Sequence, residues 1–171
     1  MHMDSIVDIA KYLIDRYKMV SKEDNIIDEM KLHKLLYFAQ RESFAINNEP
    51  LFLGKFEGWK YGPVSRDVRT YYKDLKSGIL IETKEISEAS KYIINNIVEE
   101  YGAIAAWKLS DLSHKEKSWL NSREGLSEGE NGDIELKLED IKLDSEKVRP
   151  YDYMWDMYYD EFEDYVEGDE Y

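Results

Sequence analysis

The stretch Asp28-Glu29-Met30-Lys31-Leu32-His33-Lys34-Leu35-Leu36-Tyr37-Phe38-Ala39-Gln40-Arg41-Glu42-Ser43-Phe44-Ala45-Ile46 decides the fold. Leu32, Leu35, Leu36 and Ala39 recur at helical spacing, which predicts one long helix with a buried stripe. Asn47-Asn48-Glu49-Pro50 closes it with turn formers and a proline that cannot continue a helix. Upstream, Ile6, Ile9, Ala10, Leu13, Ile14 and Tyr17 predict a first helix, with a polar break over Ser21–Asn25.

Downstream, residues 51–60 read as extended, because Phe56 and Trp59, with Tyr61 just beyond, supply β-prone bulk. Gly62-Pro63 turns the chain, and Pro63 suits the first turn of a third helix that carries Val64, Val68, Tyr71, Tyr72 and Leu75 inward. Gly78 stops it, and Ile79–Thr83 reads as a short strand pairing with 56–60. Ser87 opens a fourth helix through Ile93, Ile94, Ile97, Val98 and Tyr101, and a shorter one follows around Ala103–Leu109. Ser113-His114-Lys115-Glu116 has capping-box spacing and predicts a helix reaching about Arg123, and Glu124–Asp133 reads as an exposed loop. The expected fold is mainly α: a compact multi-helix domain with a short β-hairpin and an acidic amphipathic C-terminal helix.

That last helix has the clearest pattern. Tyr151, Met154, Trp155, Tyr158, Tyr159, Phe162, Tyr165 and Val166 share one helical face, while Asp152, Asp156 and Asp160 lie among the acidic residues on the remainder. Residues 150–171 hold nine carboxylates and no Lys or Arg. They supply most of the net charge of −14 and leave −5 on residues 1–149. Such a segment repels nucleic acid and membrane phosphates and favours basic protein surfaces. We expect Tyr151, Met154, Trp155, Tyr158, Tyr159 and Phe162, with Asp152, Asp156 and Asp160, to bind a partner protein. The alternatives are that the stripe packs on this domain's own core or drives self-association into a homo-oligomer.

Composition narrows the chemistry. Cysteine is absent, so there is no disulfide framework, thiolate metal site or Cys nucleophile, in keeping with a cytoplasmic protein. No segment approaches the ~20 apolar residues of a membrane span, and the N-terminus lacks a secretion-signal pattern. His33 and His114 stand far apart without HExxH or calcium-loop spacing, so no metal is expected. Neither GxxxxGK nor GxGxxG occurs, so no nucleotide cofactor is expected either. No local Ser/His/Asp arrangement argues for an enzyme. His33 is expected at the edge of the core. Arg66, Arg69, Lys73 and Lys76 form a basic stripe on the third helix, which Lys31, Lys34 and Arg41 would extend. A solvated face is the expected reading of that stripe; the alternatives are contact with promoter DNA, which the net charge disfavours, with a toxin's acidic surface or with this chain's own acidic tail.

Three strings carry a resemblance. Lys31-Leu32-His33-Lys34-Leu35-Leu36-Tyr37-Phe38-Ala39-Gln40, then Trp59-Lys60-Tyr61-Gly62-Pro63-Val64, then Leu109-Ser110-Asp111-Leu112-Ser113-His114-Lys115-Glu116 with Trp119 occur in that order. Together they resemble the Panacea domain, the SocA-like antitoxin family also seen in phage-associated GepA-type proteins. His33 stands where the family has Gln, and Ser118-Trp119 where Pro-Trp is common. The resemblance covers roughly residues 4–125; a domain drawn over 4–145 leaves 150–171 as a separate helix. Its motif residues here are Lys34, Trp59, Tyr61, Gly62, Pro63, His114 and Trp119. The resemblance implies a helical, non-enzymatic antitoxin that neutralises a partner toxin by direct contact, and for SocA-like members delivery of the toxin to a protease. The alternative is a phage-encoded inhibitor whose acidic tail mimics DNA and blocks a host defence nuclease. Locally, Trp59, Tyr61, Gly62 and Pro63 also read as a packed strand-to-helix turn, and His114 as a hydrogen-bonding residue in the first turn of a capped helix.

Overall fold

The computed structural model describes residues 3–149, and the helix expected over 150–171 lies outside them. The order is β1 (Asp4–Ser5), α1 (Ile6–Ser21), α2 (Glu29–Asn47), β2 (Phe52–Leu53), β3 (Glu57–Trp59), β4 (Gly62–Val64) and α3 (Arg66–Lys76). Then come α4 (Glu88–Tyr101), α5 (Ala106–Ser113), α6 (Lys117–Ser122) and α7 (Leu138–Ser145). Helices α1 to α4 start where oxygen-bearing side chains satisfy their first free N–H groups. The side chains of Ser5, Asp28, Ser65 and Ser87 accept from the backbone N–H of Asp8, Lys31, Val68 and Ser90. Lys22 and Asn48, both left-handed, end α1 and α2.

Helix α2 is the axis of the domain. It packs against α1, α3, α4, α5, α7 and β4, and every residue from Lys31 to Phe44 is buried. The apolar stripe read from the sequence is real, but the other faces are covered too. Buried polar groups are stable only when hydrogen-bonded, and those of α2 hold the surrounding segments. Gln40 Oε1 accepts the Leu51 N–H at 2.7 Å, and Gln40 Nε2 donates to the Phe52 carbonyl at 3.1 Å, fixing β2 to the helix. Lys31 Nζ donates to the Gly102 carbonyl at 2.8 Å, tying down the end of α4. Arg41 pairs with Glu116 at 2.6 Å and donates to the Tyr101 hydroxyl at 3.0 Å. The Tyr37 hydroxyl lies within 3.2 Å of Glu116, Ser118 and Asp144. Asp144, on α7, accepts the N–H groups of Lys117 and Ser118 and so caps α6. Burial beside two carboxylates drives the Tyr37 phenol well above its usual pKa and keeps it neutral.

Four expectations are corrected here. Strand β3 pairs with β4 in antiparallel register, Gly58 opposite Pro63, across Lys60-Tyr61. Residues 79–83 form no strand, and Leu80 is 99% exposed. A two-residue closure is entropically cheaper than one across a whole helix. Pro63 therefore lies in a strand, and Ser65 takes the N-cap of α3. Ser113 ends α5 instead of capping the next helix, so His114 is a C-cap; α6 begins after Glu116, held by Asp144. Lys31, Lys34 and Arg41 are buried and cannot extend a surface stripe. The sequence reading also left out β1, which pairs in parallel with β2, and α7.

Candidate functional site

Pro63 and Gly62 sit directly against α2. Gly62 has φ +117°, and a Cβ there would stand 2.5 Å from Lys34 Cε and 2.5 Å from Ser113 Oγ. Only glycine allows this approach and this dihedral at low cost. Lys34 uses the space: it is 1% exposed, and its ammonium donates to the Pro63 carbonyl at 3.3 Å. Burial pulls its pKa from 10.5 down to about 8, only partly countered by Asp28 and Glu29.

The other motif residues close on the same point. Ser110 Oγ donates to the Tyr61 carbonyl at 2.6 Å, and Trp119 Nε1 to the Trp59 carbonyl at 2.8 Å. The His114 ring stacks on Trp119 with centroids 4.2 Å apart. Burial lowers the His114 pKa, and its Nε2 has no hydrogen-bond partner among the described residues. Lys34, Trp59, Tyr61, Gly62, Pro63, His114 and Trp119 thus form one contiguous knot of α2, the β3–β4 hairpin, α5 and α6. Residues far apart in the chain meet because the hairpin is wedged between α2 and the α5–α6 segment. Trp59, Tyr61, Gly62 and Pro63 lie in a tight strand-to-strand hairpin and not in the expected strand-to-helix turn, and Trp59 and Tyr61 also line an open cleft.

That cleft has a volume of about 710 Å³. Its floor is Met30, His33 and Lys34 of α2, its wall Trp59, Lys60, Tyr61 and Val64, and its rim Glu29, Arg66, Arg69 and Asn131–Asp133. Tyr61 is 55% exposed and Trp59 half-buried. Arg66 and Arg69 lie over the Trp59 ring, 5.5 and 5.1 Å from its centroid. Arg66 pairs with Glu57 and Arg69 with Glu29. Arg66, Arg69, Lys73 and Lys76 are all exposed; the two arginines line the cleft, whereas Lys73 and Lys76 do not, and Lys76 lies over Tyr72.

His33 is 2% exposed, inside the core and not at its edge. Its Nδ1 accepts the Ser65 N–H at 3.3 Å, which requires that nitrogen to be unprotonated, and Nε2 lies 3.0 Å from Glu29. Burial lowers the His33 pKa against the pull of Glu29, and the Ser65 bond fits the same neutral ring. Glu29 is held below its ordinary pKa by hydrogen bonding to His33 and by Arg69.

The loop 124–133 is less independent than its composition suggests. Arg123 donates to the carbonyls of Gly58, Ser127 and Glu130 and folds the loop back over the hairpin, which brings Asn131, Gly132 and Asp133 to the cleft. The sequence expectation assigned no role to Arg123 or Asp144, and to Glu116 only a capping one. An arginine and two carboxylates beside exposed-looking segments carry no local sign of burial. Among the described residues, no three His, Asp or Glu side chains gather as a metal site, and no helix is long and apolar enough to cross a membrane. Tyr151, Met154, Trp155, Tyr158, Tyr159, Phe162, Asp152, Asp156 and Asp160 lie outside the described residues, as does the surface a DNA mimic would need.

The class defined by this fold and knot is a mainly helical domain with a buried polar central helix and one cleft beside a wedged hairpin. The chain belongs to the family described as antitoxin SocA-like, Panacea domain, whose model matches residues 32–120. That range starts in α2 and ends in α6, and so contains every residue of the knot. The chain is also 30% identical over 125 residues to Antitoxin SocA of Caulobacter vibrioides (strain NA1000 / CB15N). The match covers 62% of this chain and 63% of that protein, less than two thirds of the relative's length. No solved structure matches the chain.

Proposed function

We propose that this chain neutralises a partner toxin by direct, non-catalytic protein–protein contact through the cleft face of its Panacea domain. The observation that carries the reading is that three of the family's motif residues, Lys34, Trp59 and Tyr61, line one open cleft. A stretch of motif that served only the core would have no reason to leave Tyr61 and the Trp59–arginine stack at a cavity mouth. Half-buried aromatics and arginines at a concave surface are the usual anchors of protein recognition. The acidic, aromatic segment 150–171 adds a second surface that a partner's basic patch would meet.

The test is capture followed by growth. The tagged full chain is used to capture proteins from its host, and each captured protein is expressed alone and together with the chain. A captured protein that arrests growth alone, is silent on co-expression and co-purifies in fixed ratio is the expected result. A toxin that is inactivated but found covalently altered and unbound would overturn the non-catalytic reading. Absence of any growth-arresting partner would overturn the antitoxin reading. Repeating the capture with a chain ending at Arg149 assigns the contribution of the tail.

A further inference from the structure

The cleft differs in charge from the rest of the molecule. On a chain of net charge −14, it gathers Lys34, Lys60, Arg66 and Arg69 against two lining carboxylates, Glu29 and Asp133. Glu29 is already matched to Arg69, and Arg66 to Glu57. Lys34 is different. Its ammonium has three N–H donors, and among the described residues it donates to one carbonyl, that of Pro63, and makes no direct ion pair, Asp28 and Glu29 acting on it only from further off. A buried ammonium without a direct counter-ion is costly, and this side chain, 1% exposed, is among those that line the floor of the open cleft.

We propose that the cleft is a carboxylate site in which Lys34 is the counter-ion for an Asp, Glu or C-terminal carboxylate of the partner polypeptide. The neighbouring apolar side chain of that segment lies against Met30 of the floor and Trp59 and Tyr61 of the wall. This rests on the partner-binding reading above and names the chemistry that the partner must present. The volume suits a short peptide segment or its equivalent. The basic rim favours approach of an acidic segment even though the whole chain is negative. A carboxylate seated on Lys34 favours its charged form, so binding takes up a proton wherever the free lysine is neutral. Affinity therefore falls as pH rises through about 8.

The probe is the dipeptide N-acetyl-Phe-Glu amide, compared with N-acetyl-Phe-Gln amide, titrated into the full chain and followed at the Trp indole N–H resonances. The glutamate peptide should bind at least tenfold tighter than the glutamine peptide, perturb Trp59, and lose affinity above pH 8. Lys34→Met should abolish the discrimination while leaving the fold intact by circular dichroism. Equal binding of the two peptides, no binding at all, or discrimination that survives in Lys34→Met would overturn the site. Carbodiimide coupling of the unliganded full chain gives the reason: a bond from Lys34 to a carboxylate of 150–171 identifies the chain's own tail as occupant and overturns the partner assignment. The two proposals fail separately. A chain that discriminates between the peptides but rescues no growth keeps the carboxylate site and loses the toxin reading. Rescue without discrimination does the reverse.

Discussion

Replacing Lys34 with methionine keeps most of the apolar stem that lies along Gly62 and removes the buried ammonium. The magnitude follows from how far burial displaces that group. Its pKa falls from an ordinary 10.5 to about 8, and each pH unit corresponds to about 1.36 kcal/mol, so the charged form costs on the order of 3 kcal/mol at pH 7. Loss of the hydrogen bond to Pro63 takes back about 1 kcal/mol. Lys34→Met should therefore be more stable than the parent at pH 7 by about 2 kcal/mol. The sign with pH is fixed as well. The folded pKa lies below the unfolded one, so between about 8 and 10.5 the unfolded chain retains a proton that the folded chain has released. Stability of the parent rises with pH across that window. Methionine has no such dependence, and the gap between the two proteins should close toward pH 10.5. Urea unfolding of both full chains at pH 7 and 10 measures it. A methionine variant that is less stable at pH 7, or a gap that is the same at both values, would refute the argument and show that Lys34 is compensated where it lies.

Other perturbations reach the remaining parts of the framework. Arg41→Met leaves the buried Glu116 carboxylate with Lys147 as its one cationic partner among the described residues, and thermal unfolding should show a loss of about 3 kcal/mol. Tyr37→Phe strips a shared donor from Glu116 and Asp144; chemical denaturation should report a loss of about 1–3 kcal/mol. Gly62→Ala places a methyl 2.5 Å from Lys34 and Ser113 at φ +117°, and the soluble yield and melting point should both fall, by more than the ~1 kcal/mol of a simple glycine replacement. His33 has a folded pKa below its unfolded value, so its contribution to stability is full above 6.5 and is lost as pH falls below that toward the folded pKa. Comparing melting temperatures between pH 7 and 5, His33→Gln should flatten the slope. Part will remain, because His114 is displaced in the same direction.

The helices α1 to α4 were legible because each needs only local information: apolar spacing, a capping oxygen and a stop. Ser87 before Ile93–Tyr101 is enough to place α4, and Asp28 with Asn47-Asn48 is enough to bound α2. The short elements failed where two local solutions competed. Ile79–Thr83 has strand composition, yet Gly62–Val64 lies closer in the chain and took the pairing. Ser113-His114-Lys115-Glu116 has a capping spacing, yet an α7 carboxylate does the capping instead. The motif residues were legible as strings but not as a site, since no pattern within any string shows that Trp119 reaches Trp59 or that Ser110 reaches Tyr61.

Sequence alone determined the helical class, the start and end of the long helices, the family and the placement of most negative charge in the last 22 residues. Tertiary structure alone decided which polar residues are internal. Lys31, His33, Lys34, Gln40 and Arg41 look like the wet face of an amphipathic helix, because amphipathic spacing records only where apolar side chains fall. They are buried because β2, the hairpin, α5 and α7 cover that face from distant points in the chain and offer it carbonyls and carboxylates. Whether a polar side chain is solvated or satisfied inside depends on partners that its neighbours in sequence do not supply.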